Sequence, residues 1–134
     1  MQRMNRKIEY ALIALKVVLQ RKSRTSVKEI CEITGVPFDA TARVMQIMAQ
    51  NGLLQAEHGV NGGYKLIKDL QDVSMHDLMS WILGPIEIAK CLSDHQQCEL
   101  VNTCNITTPM ANLNKKLVNF YSDLSIAEVV YAGQ

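Results

Sequence analysis

Three of the four cysteines in this 134-residue chain fall within fourteen positions, in the stretch CLSDHQQCELVNTC from Cys91 to Cys104. Thiolates are soft and charged, so three of them at this separation suit an iron–sulfur cluster. A zinc ion or a redox switch among the thiols are the alternatives, with His95 completing four ligands for zinc. Between the thiols lie Ser93, Asp94, His95, Gln96, Gln97, Asn102 and Thr103. The run lacks the apolar periodicity of a buried helix or strand and reads as a polar loop. The fourth thiol, Cys31, shares an apolar helical face with Val27 and Ile30 and reads as a small buried hydrophobe. A redox enzyme fits poorly. There is no Cys-x-x-Cys pair, no phosphate-binding glycine loop before a helix, and His58, His76 and His95 are scattered.

Charge divides the chain. Met1 to Lys68 carries 11 Lys or Arg against 5 Asp or Glu, a balance of +6; Asp69 to Gln134 carries 3 against 8, a balance of −5. A basic front half suits a polyanion, and an acidic rear half would be kept away from it. The plainer reading is charge scattered over an ordinary surface. No run of eighteen apolar residues suggests a membrane span, and the N-terminal MQRMNRKIEYALIAL lacks a small-residue cleavage site. These features lead to an expectation of a cytoplasmic protein, where clustered cysteines are more often metal ligands or redox thiols than disulfides.

The elements before the cysteines have the order of a winged helix. A first helix over Asn5–Gln20 follows from the stripe Ile8, Ala11, Leu12, Leu15, Val18 and Leu19, with a basic turn, Arg21 to Arg24, after it. Ser26 and Glu29 form a capping box for a second helix that Gly35 stops. A third runs from Pro37 to Asn51, with Ala40, Val44, Ile47 and Met48 inward and Asp39, Arg43, Gln46 and Gln50 outward. Two short helices joined by a tight turn make a helix-turn-helix, whose second helix enters the major groove. LLQAEH and YKLIK then flank Gly59-Val60-Asn61-Gly62-Gly63 as a hairpin, the wing. Ser74 and Asp77 cap a fourth helix ended by Gly84-Pro85, and Val73 can staple onto Leu78. Beyond the loop, Thr108 and Pro109 read as N-cap and first-turn proline of a long helix. Its residues Met110, Leu113, Leu117, Phe120 and Leu124 make a narrow seam, which suits either helix pairing or packing on its own domain. Ser125 and Glu128 cap a last short helix.

The fold class is therefore mainly α with a small β-hairpin: a winged helix-turn-helix domain (1–84), a cysteine loop (85–107), and a dimerisation helix with its tail (108–134). In EYAL at Glu9–Leu12, NGLL at Asn51–Leu54, GVNGGYKL at Gly59–Leu66 and the cysteine triplet after them, the chain resembles the Rrf-two family of bacterial winged-helix regulators, which includes IscR- and NsrR-like proteins. The resemblance spans nearly the whole chain. It implies a homodimer whose long C-terminal helices cross, a pseudo-palindromic double-stranded DNA operator, and a 2Fe–2S or 4Fe–4S cluster on Cys91, Cys98 and Cys104.

Three departures from the family pattern stand out. The spacing is Cys-x6-Cys-x5-Cys, where both gaps are usually five. Thr107 stands where some relatives have a histidine, and a hydroxyl is a poor iron ligand. Other relatives use an acidic residue before the tyrosine of EYAL, from the partner subunit; Glu9 holds that place and is the expected fourth ligand, with His95 as competitor. The wing begins with His58 where an arginine is usual. The matching base-reading positions are Asp39, Ala42 and Arg43. Arg43 is the leading base contact because a guanidinium pairs bidentately with guanine, while Ala42 offers only a methyl for thymine. Arg24, Ser26, Lys28 and Lys65 suit phosphate, and His58, Gly59 and Asn61 form the wing tip. The function expected is a transcriptional regulator whose operator binding is controlled by the cluster. The alternatives are a cluster-free regulator with a thiol-redox or zinc loop, and a winged helix that binds only protein.

Overall fold

The computed structural model describes residues 3–93 and 97–131. His95, with Asp94 and Gln96, lies outside the described residues, so its part in any ligand set is not addressed by the fold. Helix α1 (Arg6–Arg21) begins at Asn5, whose side chain accepts the Lys7 N–H, and buries Ile8, Ala11, Ala14, Leu15, Val17 and Val18. It ends at Lys22 in the left-handed region, φ 56°, a position usually given to glycine; among the described residues no other non-glycine has positive φ.

Helix α2 (Val27–Thr34) starts with the expected box: the Ser26 hydroxyl accepts the Glu29 N–H at 3.1 Å, and Glu29 Oε1 accepts the Ser26 N–H at 3.3 Å. Gly35 stops it at φ 80°. Ile30 is fully buried, but Cys31 is only half-buried. An eight-residue helix presents one narrow stripe to the core, and Cys31 sits on its margin.

Helix α3 (Phe38–Gln50) packs on both α1 and α2. Its core residues are Thr41, Val44, Met45 and Met48, an i, i+3, i+4, i+7 set, whereas Ala40 and Ile47 are half-buried. The inward face is thus rotated from the predicted one, because the methyl of Thr41 and the flexible Met45 fill the centre. Thr41 Oγ1 is fully buried and has no hydrogen-bond partner. An unmade buried hydroxyl bond costs about 1–3 kcal/mol. Thr41→Val keeps the shape, and we expect it to raise stability by about 1 kcal/mol in urea unfolding. Destabilisation would show that the hydroxyl finds a partner in solution.

Strands β1 (Leu54–Glu57) and β2 (Gly63–Leu66) pair antiparallel, Leu54 opposite Leu66 and Glu57 opposite Gly63. Leu54 is buried while Gln55 and Ala56 face solvent. Pairing continues through one further bridge: Thr25 N–H donates to Tyr64 O at 2.9 Å and Tyr64 N–H to Thr25 O at 2.8 Å. The wing is thereby tied to the residue just before the α2 N-cap.

Helix α4 (Met75–Leu83) begins with the Ser74–Asp77 box, and Val73 and Leu78 are both buried. Helix α5 (Thr107–Asp123) starts two residues earlier than expected: Ile106, not Thr108, is the N-cap, no side-chain cap bond forms, and Pro109 is the third helical residue. Its missing N–H lies in the first turn, where no intrahelical partner exists. No residue of α5 is buried in the chain alone. The predicted seam divides accordingly. Leu113 and Phe120 are exposed, at 44% and 61%, while Leu124 has left the helix and packs on the core. Helix α6 (Ile126–Tyr131) returns to the first domain, with Ile126, Ala127 and Val130 buried. Two bonds fasten it there, Ile126 N–H to Val73 O and Met75 N–H to Leu124 O, both 2.8 Å. Each fully buried leucine or isoleucine of this shared core contributes roughly 1.5–3 kcal/mol.

Candidate functional site

Two surfaces carry the predicted residues. On the first, α3 presents Asp39, Arg43, Gln46 and Gln50 to solvent, with Ala42 half-buried beside them. A helix face of this polarity, with a cation at its centre, can read base edges. The wing tip exposes His58, Gly59 and Asn61. Lys28 is exposed on α2, and neither it nor Arg43 has a salt-bridge partner among the described residues.

The other expected phosphate contacts are partly committed within the chain. Arg24 Nε meets Glu57 Oε2 at 2.7 Å, and its Nη1 donates to the Asn61 carbonyl at 3.3 Å. Lys65 Nζ lies 3.6 Å from the same carboxylate. The Ser26 hydroxyl accepts the Glu29 N–H and donates to Glu29 Oε1 at 3.1 Å. The capping bond holds the Glu29 carboxyl below its ordinary range, the Ser26 N–H more than its hydroxyl, with Arg21 adding to this. These residues therefore order the wing and the α2 start as well as supplying charge. The Thr25–Tyr64 bridge that joins the two was not foreseen; a threonine before an N-cap serine carries no signal of its own.

The second surface is the cysteine segment. Cys91, Cys98 and Cys104 are half-buried free thiols, and Cys91 lies in a short 3-10 turn, Lys90–Leu92. Among the described residues no three of His, Cys, Asp and Glu come close enough to hold one metal ion. The three thiols and Glu9 are thus not gathered in the single chain. Glu9 is instead paired with Arg6 at 2.5 Å, and the Arg6 guanidinium lies 5.6 Å from the Tyr10 ring centre.

The ends of the segment are anchored all the same. The Ile88 N–H donates to Asn114 Oδ1 of α5 at 2.9 Å. At the far end the Cys104 thiol is held below the ordinary thiol range, first by the Ile106 N–H, then by the Thr107 hydroxyl and N–H. A sulfur accepting the free N–H groups at a helix start is the arrangement that favours thiolate. Thr107, unsuited to bind iron, serves as a donor to the sulfur. A third tie, Lys90 Nζ to Glu99 Oε2 at 3.0 Å, closes the segment across Cys91 and Cys98. None of these ties was legible beforehand, because each joins polar residues with no periodic pattern.

In metal-free protein, we expect Cys104 to alkylate with iodoacetamide at a lower pH than in the urea-unfolded chain, since thiolate is the nucleophile. Site-resolved mass spectrometry over a pH series reads this. Coincident profiles would remove the proposed N–H support.

By donor type the segment fits an iron–sulfur cluster: three soft thiols, one already biased towards thiolate. A wing, a helix-turn-helix and this thiol segment also agree with the proteins the chain is similar to. The family model Rrf2, described as iron-dependent transcriptional regulator, matches residues 4–132. The HTH-type transcriptional repressor NsrR of Streptomyces coelicolor is 24% identical, with 91% of this chain and 82% of that protein covered. Among solved structures, CymR, the global cysteine regulator of B. subtilis, superposes with a TM-score of 0.74 at 16% identity, covering 100% of both chains. IscR of T. potens gives 0.70 at 16% identity, covering 99% of this chain and 89% of that one. At these identities the solved structures speak for the fold.

Proposed function

The chain belongs to the Rrf2 family of transcriptional regulators, and from that premise we propose a homodimeric, operator-binding regulator gated by an iron–sulfur cluster. Members of the family bind DNA and are not enzymes. No helix of the described residues is long and apolar enough to cross a membrane.

One observation carries the reading: both ends of the cysteine segment fasten to α5, and α5 is the helix with an uncovered apolar seam. Asn114 holds the approach to Cys91, and the first residues of α5 hold Cys104. Cys91, Cys98 and Cys104 supply thiolates, and Glu9 of a second subunit is the proposed fourth ligand, released from Arg6. A bound cluster supplies a redox- and ligand-sensitive centre. Around it the chain's own residues do the rest: Ile106 and Thr107 steady one sulfur, Asn114 fixes the loop, and α5 passes the difference to the paired winged domains. Arg43, Asp39 and Ala42 face the bases; Lys28, Arg24 and Lys65 the phosphates; His58, Gly59 and Asn61 the minor groove or backbone. A coupling of about 1–3 kcal/mol between the loop and operator binding changes affinity roughly 5- to 150-fold.

The test is anaerobic purification with visible absorbance and iron and sulfide counts per chain, then operator binding before and after chelation. A duplex selected from a random pool serves as the operator, at fixed salt. A brown protein with matched iron and sulfide, and an affinity that changes on chelation, is expected. Glu9→Ala should keep fold and dimer while altering the cluster's spectrum or lifetime. A colourless chain that stays iron-free after reconstitution would sink the cluster reading. That outcome leaves the cluster-free regulator with a thiol-redox or zinc-bound loop as the reading to test.

A further inference from the structure

Behind the wing, a cavity of about 470 Å³ lies between the end of α1 and β2. Val18, Leu19 and Leu66 give it an apolar floor, and Lys22, Arg24 and Lys65 line its rim. Small-molecule sites are of this kind: roughly 300–1,000 Å³, mainly apolar, with few charged groups. Two features separate it from a plain phosphate contact. Phosphate has no use for an aliphatic floor. Glu57 is the one carboxylate that pairs with the rim, through Arg24 and Lys65, and Lys22 has no salt-bridge partner among the described residues. Lys22 also holds a left-handed backbone, φ 56°, ψ 19°, where glycine would be unstrained. A charged side chain kept in such a position points to a role for the charge.

We propose that this cavity binds a small amphipathic anion, a medium-chain aliphatic carboxylate, with its tail on Val18, Leu19 and Leu66 and its head between Lys22 and Arg24. Arg24 is also the clamp of the wing, through Glu57 and the Asn61 carbonyl. A carboxylate at Lys22 draws Arg24 from both, loosening the tip and occupying charge that faces DNA. Bound anion therefore weakens operator binding. That last step rests on the DNA-binding reading; occupancy of the cavity does not.

Sodium octanoate is titrated into the ¹⁵N-labelled full chain, with inorganic phosphate in a parallel series. Saturable amide shifts at Val18, Leu19, Lys22, Arg24, Lys65 and Leu66 are expected, with phosphate binding there at least about tenfold more weakly, since it gains nothing from the floor. Lys22→Gly relieves the left-handed strain, so its melting temperature should not fall, yet octanoate affinity should drop about tenfold, as for loss of one charge-assisted contact. Shifts absent from these residues, or confined to α5, would overturn the proposal. So would phosphate binding as tightly as octanoate, which marks a plain phosphate contact, or an unchanged affinity in Lys22→Gly. Operator binding with and without octanoate then reads the coupling separately.

Discussion

Gly63→Ala should detach the wing. A Cβ built on Gly63 would stand 2.7 Å from the Thr25 carbonyl carbon, 2.8 Å from its oxygen and 2.9 Å from the Ser26 nitrogen. All three are backbone atoms on the segment that caps α2, so no side chain can swing aside. The backbone at Gly63 also has φ 153°, which side chains rarely adopt. Overpacking and backbone strain of this kind each cost about 1–3 kcal/mol. Together they exceed what the two Thr25–Tyr64 hydrogen bonds return, at about 1 kcal/mol each. The bridge should open. Hydrogen exchange at the Thr25 and Tyr64 amides is expected to speed up by about a hundredfold, with a melting temperature lower by about 10 °C. Gly59→Ala is the control. Gly59 has φ 106° but open space around the Cβ position, so strain acts alone and only at the tip. Equal exchange at Thr25 and Tyr64 in wild type and Gly63→Ala would show that the wing does not rest on this bridge.

The contrast between these glycines shows what the chain makes legible. Three glycines in five residues announce a hairpin tip, and the capping residues at Ser26, Ser74 and Ser125 mark helix starts because the signal is local. All three are occupied as expected. That Gly63 rather than Gly59 touches the α2 cap is a tertiary fact, and nothing in GVNGG distinguishes them. The same limit explains α3. Periodicity locates the helix but not its rotation: the stripe Ala40, Val44, Ile47 and Met48 lies next to the one the core takes, Thr41, Val44, Met45 and Met48. At the cysteine segment, residue type announced the chemistry, whereas the supports at Asn114, Ile106 and Thr107 depend on where α5 begins. Thr108-Pro109 reads as an N-cap and first-turn proline, but a proline is equally at home two positions further into the first turn, where its missing N–H has no intrahelical partner, and the helix starts at Thr107.

The second large effect should come from α5. Leu113 and Phe120 lie seven residues apart, on one face, and expose 44% and 61% of their surface in the single chain. Directly after Phe120, Tyr121 and the C-cap Leu124 pack on the domain core instead. The helix therefore packs on α4 and is anchored at its C-terminal end while leaving Leu113 and Phe120 uncovered, the form of a helix that pairs with its own copy. Leu113→Glu with Phe120→Glu puts two charges on each side of that seam. Carboxylates facing one another in a desolvated helix pair cost several kcal/mol, against about 1.5–3 kcal/mol formerly gained from each buried side chain. We expect a monomer by sedimentation equilibrium with helical content retained, because neither residue belongs to the chain's own core. Operator affinity should fall by at least about a hundredfold, since two half-sites read by linked domains gain a factor of roughly 10²–10⁴ from the linkage. The variant's residual, salt-sensitive binding to any duplex should persist through Lys28 and the other cations. A double variant that remains dimeric would place the interface elsewhere and remove the route by which the cysteine segment is proposed to reach the DNA.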